Sequence, residues 1–174
     1  MIEIAAKYEY VIKVRTEISR NTAKQLFPFT MPYDPGAGTT TLHRQFALDS
    51  GYKINKLPAG ITVVGLGGNA DPEYTVIPNL RLGGVDLGPV YAHVIQFHDD
   101  MADRTLGLLG MNVLSWFKII QECHWNEKLG CHDNASLLLE PKFDINDVIS
   151  LDAFMPFGRS HRFGSAFMAD RNAN

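Results

Sequence analysis

Two short stretches of the sequence each place an aspartate close to glycine, and either aspartate could act as an acid or a base. The first stretch is YDPGAGTTT, residues 33–41, and the second is DSG, residues 49–51. A carboxylate does such work when its surroundings set its protonation state and leave room for a reacting water. The local pattern around each aspartate therefore decides which of them is the better candidate.

Asp34 lies where a strand pattern gives way to a tight turn. Pro35 disfavours helical geometry at the residue before it. The pair Pro35-Gly36 fits the two central positions of a type II turn, whose second central residue has a positive φ. The small residues Gly36, Ala37 and Gly38 leave open space around the Asp34 carboxylate.

Asp49, by contrast, ends the helical pattern LHRQFALDSG. Ser50 and Gly51 directly after it are explained by helix termination, which is a purely structural role. Asp34 is therefore the favoured candidate for a catalytic residue.

The elements around both aspartates are mostly short strands. The runs that predict strands are YEYVIKVRTEI, FPFTMPY, ITVVGLGG, EYTVIPNLRL and PVYAHVIQF, and FKIIQECHW and CHDNASLLLE predict a hairpin around NEKLG. Two stretches predict helices: TTTLHRQFALDSG, with Thr39 or Thr40 as N-cap, and MNVLSWF. This pattern predicts a mostly β barrel or sandwich with one or two short helices.

The run ITVVGLGGNA has the outline of a dinucleotide-binding fingerprint, because a strand pattern leads into Gly65-x-Gly67-x-x-Ala70. That motif requires a helix next, but DPEYTVIP is rich in β-branched residues and is interrupted by prolines. We therefore expect Gly65, Gly67 and Gly68 to form the tip of a hairpin.

Composition excludes several classes of function. The chain has 174 residues, 45% hydrophobic and 20% charged, and a formal net charge of −3. Lys and Arg are scattered, so we expect no nucleic-acid partner. The longest apolar runs are too short to cross a bilayer and no signal-peptide pattern is present, so we expect a cytoplasmic protein without a membrane partner.

Two further groups of residues have metal-ligating side chains. Cys123-His124 and Cys131-His132 are adjacent pairs, and neighbours on an extended chain point to opposite faces, so a hairpin explains them better than a zinc site. His93 and the segment HDDMAD, residues 98–103, are explained by a polar surface loop. We expect neither a metal nor another cofactor.

The order of these motifs resembles the retropepsin-like aspartic proteases, the family of the retroviral proteases and their bacterial relatives. Asp34-Pro35-Gly36-Ala37 stands where that family has Asp-Thr/Ser-Gly-Ala, and Leu108-Leu109-Gly110 stands where it has two apolar residues and Gly before a short helix. ALDSGYKI is similar to the end of the family's helix, and ASLLLEP to its closing strand. The resemblance covers roughly residues 8–141. It implies a closed β-barrel of the acid-protease fold in residues 1–141, and we assign residues 142–174 to a C-terminal extension.

The resemblance also implies a mechanism. It implies a homodimer in which Asp34 of each subunit faces the other across one water, hydrolysing peptide bonds of a bound peptide or protein. By the same resemblance Gly36 and Ala37 bind substrate, and Gly65, Leu66, Gly67 and Gly68 form a flap over it. An ordinary turn is the alternative for those glycines.

Pro35 departs from the family pattern, because Thr or Ser at this position braces the two catalytic loops of the dimer in the family. Proline has neither a side-chain donor nor a backbone N–H, but its fixed φ makes the turn more rigid. Asn112, where many relatives carry Asp, is a smaller departure. The sequence therefore leaves two hypotheses: an aspartic endopeptidase, or a catalytically silent dimer that serves as a peptide-binding or assembly module.

Overall fold

Short β-strands make up most of the regular structure, in agreement with the sequence patterns. The computed structural model describes residues 2–8, 11–20, 25–57, 63–65, 68–70, 73–97 and 105–143. In chain order the elements are β1 (Ile2–Tyr8), β2 (Ile12–Ser19), β3 (Leu26–Pro32), β4 (Thr41–His43), α1 (Arg44–Asp49), β5 (Asn55–Lys56), β6 (Val63–Gly65), β7 (Gly68–Ala70), β8 (Glu73–Ile77), β9 (Leu80–Leu82), β10 (Val85–Asp86), β11 (Val90–Ile95), β12 (Gly107–Leu108), α2 (Met111–Leu114), β13 (Phe117–Asn126) and β14 (Cys131–Pro141).

Seven of the described strands form the larger sheet, in the order β10-β9-β2-β1-β14-β13, with β3 also paired to β2. Strand β2 organises this sheet because three strands pair with it. One edge of β2 pairs along its length with β3, and the other edge pairs first with β1 and then with β9. Its residues alternate between the two faces of the sheet, with Ile12, Val14 and Thr16 buried and Arg15 exposed.

A second sheet of five described strands has the order β12-β4-β11-β8-β5. Strand β4 runs parallel to β11 and antiparallel to β12. Leu42 of β4 and Ala92 and Val94 of β11 join the same buried hydrophobic core as Val14 and Ile18 of the larger sheet. This core fixes the position of the segment between β3 and α1, which contains Asp34.

The first predicted helix begins later than the sequence indicates. We expected an N-cap at Thr39 or Thr40, but residues 41–43 form β4, and the helical residues begin at Arg44. The N-cap is His43, which makes no side-chain cap hydrogen bond. Pairing of β4 with strands on both sides outweighs a local helix start, and β-branched threonines suit a strand. At the other end, Gly51 has a φ of 74°, as expected for a glycine after a helix.

Strands β6 and β7 form a two-stranded hairpin in which Gly65 pairs with Gly68. The next described element is strand β8, which begins at Glu73, rather than the helix that a dinucleotide fingerprint requires. Leu66 and Gly67 lie outside the described residues.

The fold class is mostly β with two short helices in the described residues, as expected. The predicted closed barrel is not found, since the described strands are divided among three separate sheets. Residues 144–174, most of the proposed C-terminal extension, lie outside the described residues. Of the two that are described, Phe143 packs edge-to-face on Trp116 and Phe117, and the division at residue 141 stays a prediction.

Candidate active site

The backbone at Asp34 is held at the end of β3 by hydrogen bonds to the segment before α2. The Asp34 N–H donates to the carbonyl oxygen of Leu109 at 3.1 Å, and the Leu109 N–H donates to the carbonyl oxygen of Pro32 at 2.9 Å. Tyr33 and Leu109 form a parallel bridge. The two motifs that carry the family resemblance, Asp-Pro-Gly-Ala and Leu-Leu-Gly, are therefore neighbours in the structure.

The Asp34 carboxylate is oriented by the turn that follows it. Its Oδ1 accepts the N–H of Gly36 at 2.9 Å and the N–H of Ala37 at 3.2 Å. The Ala37 N–H also lies 3.2 Å from the Asp34 carbonyl oxygen, which closes a β-turn with Pro35 and Gly36 at its centre. No hydrogen bond from a described residue reaches Oδ2, so this oxygen remains available to a water or a second carboxylate.

We had expected a type II turn, but the turn is of another type, because Gly36 does not have a positive φ. The carboxylate explains the difference. A short Asp side chain that accepts a backbone N–H two residues later selects a turn whose central peptide points that N–H back toward it. Pro35 suits the first central position of such a turn as well as that of a type II turn.

Gly36 is needed for space rather than for an unusual φ. A Cβ atom at this position would lie 3.1 Å from Asp34 Oδ1, which is closer than an ordinary contact. The glycine therefore leaves room for the carboxylate to accept the Gly36 N–H. A Cβ at Gly38 would meet nothing within 4 Å.

The other side of the loop is fixed by the first turn of α2. The N–H groups of Met111 and Asn112 donate to the carbonyl oxygens of Ala37 and Gly38 at 2.8 Å and 3.1 Å. These are N-terminal helix donors that have no partner within the helix, so the loop satisfies them. Gly110 permits this approach, since a Cβ there would lie 2.4 Å from the Thr39 carbonyl carbon.

Asn112 connects the loop, α2 and β11. Its side chain is buried, and its Oδ1 accepts the Thr40 N–H at 2.7 Å and the Thr40 hydroxyl at 2.9 Å. Its Nδ2 donates to the carbonyl oxygen of Tyr91 at 2.9 Å. Sequence reasoning noted Asn112 as a departure from the family but assigned it no role. In the sequence, this role is indicated by a single amide side chain within the apolar run GLLGMNVLSWF.

The remaining candidates lie elsewhere. Asp49 is exposed at the end of α1, where its carboxylate accepts a hydrogen bond from Gln45 Nε2 at 2.8 Å. Gly65 and Gly68 lie in the β6–β7 hairpin, and Leu66 and Gly67 are outside the described residues. Substrate binding by these four residues and by Gly36 and Ala37 stays a prediction.

The described part of the chain offers no cluster of three or more His, Cys, Asp or Glu side chains arranged to hold a metal ion. Cys123 is an exposed free thiol on β13, and residues 98–104 lie outside the described ranges. None of the described helices has the length and apolar character needed to span a membrane.

Comparison with known proteins identifies the class of protein. Residues 21–113, more than half of the chain, match the family model described as aspartyl protease, and the chain therefore belongs to that family. This assignment confirms the resemblance to aspartic proteases that was drawn from the motifs. A search of curated proteins gave no match.

Among solved structures, the chain is similar to the crystal structure of a retropepsin-like aspartic protease from Rickettsia conorii. The two are 19% identical, the match has a TM-score of 0.48, and it covers 78% of this chain and 88% of the other.

Proposed function

We propose that this protein is an aspartic endopeptidase that acts as a homodimer. The observation that carries the proposal is the state of the Asp34 carboxylate. One oxygen is fixed by two backbone N–H groups, and the other accepts no hydrogen bond from a described residue. A carboxylate held in this way, in a chain of the aspartyl protease family, is suited to binding and activating water.

The reaction requires a second carboxylate, and this is why the proposal includes a dimer. One chain supplies a single aspartate in the family motif, so the second is Asp34 of the partner subunit, related by a two-fold axis. Two carboxylates about 3 Å apart do not both ionise, and the pair holds one proton between them.

In the proposed reaction the ionised carboxylate takes a proton from the bound water as its oxygen attacks the peptide carbonyl carbon. The protonated carboxylate gives its proton to the carbonyl oxygen, which yields a neutral tetrahedral diol. Collapse of the diol breaks the C–N bond. The leaving nitrogen takes a proton from the carboxyl that was protonated by the attacking water, and a hydroxyl of the diol gives its proton to the other carboxylate. The products are a carboxylic acid and an amine, and the two aspartates again share one proton.

Pro35 is compatible with this activity in the observed turn. It occupies the first central position, where proline is favoured and where no backbone N–H is required. The loop is braced within the chain by the N–H groups of Met111 and Asn112 and by the Asn112–Thr40 hydrogen bonds. These contacts supply rigidity that would otherwise depend on a hydroxyl at position 35.

The β6–β7 hairpin is the proposed flap. Its tip contains three glycines, Gly65, Gly67 and Gly68, which allow close approach of its backbone to an extended peptide. Closure of such a hairpin would exclude water and add backbone hydrogen bonds to the substrate.

A second candidate function is supported by the missing hydroxyl at Pro35. Without a side-chain donor between the two loops, the paired carboxylates would be held less rigidly, and small displacements are costly in catalysis. On this reading the dimer binds peptides or assembles partners without cleaving them.

The test is cleavage of a mixed peptide library between pH 4 and pH 7, read by mass spectrometry. We expect wild-type protein to cut peptides and Asp34→Asn to cut none. Asp49→Asn is the matched control, because Asp49 is an exposed carboxylate at the end of α1, and it should leave cleavage unchanged. Cleavage that survives Asp34→Asn would refute the catalytic assignment. Peptide binding without cleavage in a folded wild-type dimer would favour the second function.

A further inference from the structure

The buried face of β14 continues past the end of the strand. Alternate residues of β14 are buried in the core, namely Ala135, Leu137 and Leu139, as expected for side chains two residues apart on one face of a sheet. Phe143 has the same spacing, and its ring lies edge-to-face against Phe117 at 5.7 Å. The backbone is still paired at this point, because the Lys142 N–H donates to the Trp116 carbonyl oxygen at 2.9 Å. The place where the chain leaves the sheet is therefore fixed.

Phe143 and Trp116 form an aromatic pair that is only partly covered. Their rings meet edge-to-face at 6.3 Å, and both side chains pack against the hydrophobic core. Phe117 beside them is buried, but the aromatic pair itself retains exposed ring surface in the described part of the chain. Removing aromatic surface from water is favourable. This end of the core is therefore a docking surface for an apolar segment.

The sequence directly after Phe143 supplies such a segment. Residues 144–151, DINDVISL, include the large aliphatic residues Ile145, Val148, Ile149 and Leu151. Ile145 keeps the two-residue spacing of the buried β14 residues. An extended chain spans at most about 3.5 Å per residue, so the Cα atom of Ile145 is no more than about 7 Å from that of Phe143. A segment tethered this closely has a high effective concentration at the aromatic pair, which favours it over a separate chain.

We propose that residues 144–151, which we call the strap, dock on the Trp116–Phe143 aromatic pair of their own chain and close this end of the core. Ile145 extends the buried row of β14, and the aliphatic side chains that follow cover the exposed part of the Trp116 ring. The strap is the first part of the C-terminal extension, and docking does not require residues 152–174.

The strap acts on α2, because Trp116 follows closely after that helix. The Trp116 N–H donates to the carbonyl oxygen of Val113 at 3.2 Å, and Lys142 Nζ donates to that of Ser115 at 3.0 Å. Helix α2 has only four residues, and helices of this length depend on packing for their stability. Its first residues hold the loop that carries Asp34, so docking of the strap also steadies that loop. This last step rests on the proposed function, whereas the docking itself does not.

Accessibility of the Trp116 ring tests the docking in the full-length protein. The chain has two tryptophans, and Trp125→Phe removes the exposed one, which lies near the tip of the β13–β14 hairpin. Acrylamide quenching of the fluorescence then reports on Trp116 alone. The double substitution Ile145→Ser, Ile149→Ser should raise the Stern–Volmer constant by about two-fold or more, since a released strap exposes the ring.

Phe163→Ser combined with Phe167→Ser is the matched control for the quenching experiment. It removes two apolar side chains from the same extension but outside the strap, and quenching of Trp116 should stay unchanged. Equal quenching in the strap variant, the control variant and the parent protein would overturn the proposal. Quenching that rises when the parent protein is diluted would also overturn it, because the ring would then be covered by a second copy.

Proteolysis provides a second measurement that does not depend on fluorescence. An endoproteinase that cuts before aspartate has sites at Asp144 and Asp147 in the strap and at Asp170 beyond it. In wild type the strap sites should be cut about ten-fold more slowly than Asp170, because a docked segment must open before it is cleaved. The Ile145→Ser, Ile149→Ser variant should lose this difference. Equal cleavage rates at all three sites in wild type would contradict docking.

The strap and the peptidase fail separately. If wild type cuts no library peptide but its strap is protected, docking stands and the proposed activity is removed. If cleavage that depends on Asp34 is found, the strap variant should have a kcat about ten-fold lower with little change in KM, since a loosened loop displaces the carboxylate. An unchanged kcat in a variant whose strap is released would overturn the link between the strap and the loop.

Discussion

At the scale of single residues, the two glycines of the loop have different tasks, although the sequence presents them alike. Gly36 leaves space beside the Asp34 carboxylate, whereas Gly38 faces open space. Sequence reasoning assigned Gly36 to a positive φ, which is the usual reason for a glycine after proline. The actual reason depends on where the Asp34 side chain turns, and a local pattern does not contain that information.

Gly36→Ala should lower kcat/KM for peptide cleavage by about ten- to a hundred-fold with little change in folding. The added Cβ would lie 3.1 Å from Asp34 Oδ1 and would displace the carboxylate, and catalysis is sensitive to small displacements. Gly38→Ala is the control and should retain activity. The measurement is the cleavage rate of a substrate found in the library, with circular dichroism to verify folding. Equal activity of the two variants would contradict the role given to Gly36.

At the scale of elements, the sequence predicted the strands with strong alternation and the presence of both helices. Strand β2 alternates as expected, and β13 and β14 form the predicted hairpin. The start of α1 was predicted wrongly because three threonines that resemble helix-capping residues are instead buried, two of them before β4 and one within it. That outcome depends on β11 and β12, which lie far along the chain, so local sequence could not reveal it.

Asn112 is the clearest case of a link between elements, and its removal should cost about 2–4 kcal/mol of unfolding free energy. In Asn112→Ala the Thr40 N–H, the Thr40 hydroxyl proton and the Tyr91 carbonyl each lose the hydrogen bond that Asn112 supplies, and the loss of buried hydrogen bonds is expensive. Urea unfolding measures the change. Met111→Ala, at a neighbouring exposed position, should cost less than about 1 kcal/mol.

A loss below about 1 kcal/mol in Asn112→Ala would show that water or a local shift replaces its hydrogen bonds. The same variant also bears on the candidate site, because Thr40 follows the loop that carries Asp34. We expect Asn112→Ala to lose more peptide cleavage activity than its loss of folded protein alone would explain.

At the scale of the whole molecule, the family could be predicted from sequence, but the arrangement of the strands could not. The order Asp-Pro-Gly-Ala, helix, Leu-Leu-Gly is a linear signal. The division of the described strands into separate sheets depends on contacts between distant segments, and so does the pairing of β2 with three other strands. Such contacts are set by packing of the entire core rather than by propensity.

Stability of the whole fold should depend on pH through His93. This side chain is 8% exposed, and its Nε2 has no hydrogen-bond partner among the described residues. Its described neighbours are uncharged: Tyr91 is edge-on to the ring at 5.5 Å, and Tyr74 and Thr41 are its register partners on β8 and β4. Burial lowers the pKa of His93 from 6.5 to about 4.

The direction of this pH dependence follows from proton uptake. Below pH 6.5 the unfolded chain binds a proton at His93 that the folded chain does not bind until about pH 4. The stability that depends on neutral His93 is therefore fully retained above pH 6.5. The free energy of unfolding falls by about 2–3 kcal/mol as the pH decreases to about 4. Urea unfolding across this range should show the decrease, and His93→Phe should remove it.

His124→Gln is the control for that experiment, because His124 is exposed on β13 and should leave the pH dependence as it is. An equal slope in wild type and His93→Phe would show that other groups control the acid stability. Since the proposed reaction requires one shared proton and is favoured by acid, His93 would limit activity on the acidic side through unfolding.

The pairing of β1 with β14 has a consequence for how the protein is made. Residues 2–6 pair with residues 135–139, so β1 is synthesised well before the strand that it pairs with. Until then one edge of β1 has no partner, and open edges of this kind invite association between nascent chains. Folding of this domain is therefore completed after synthesis of β14, and truncation before residue 131 should give an insoluble product.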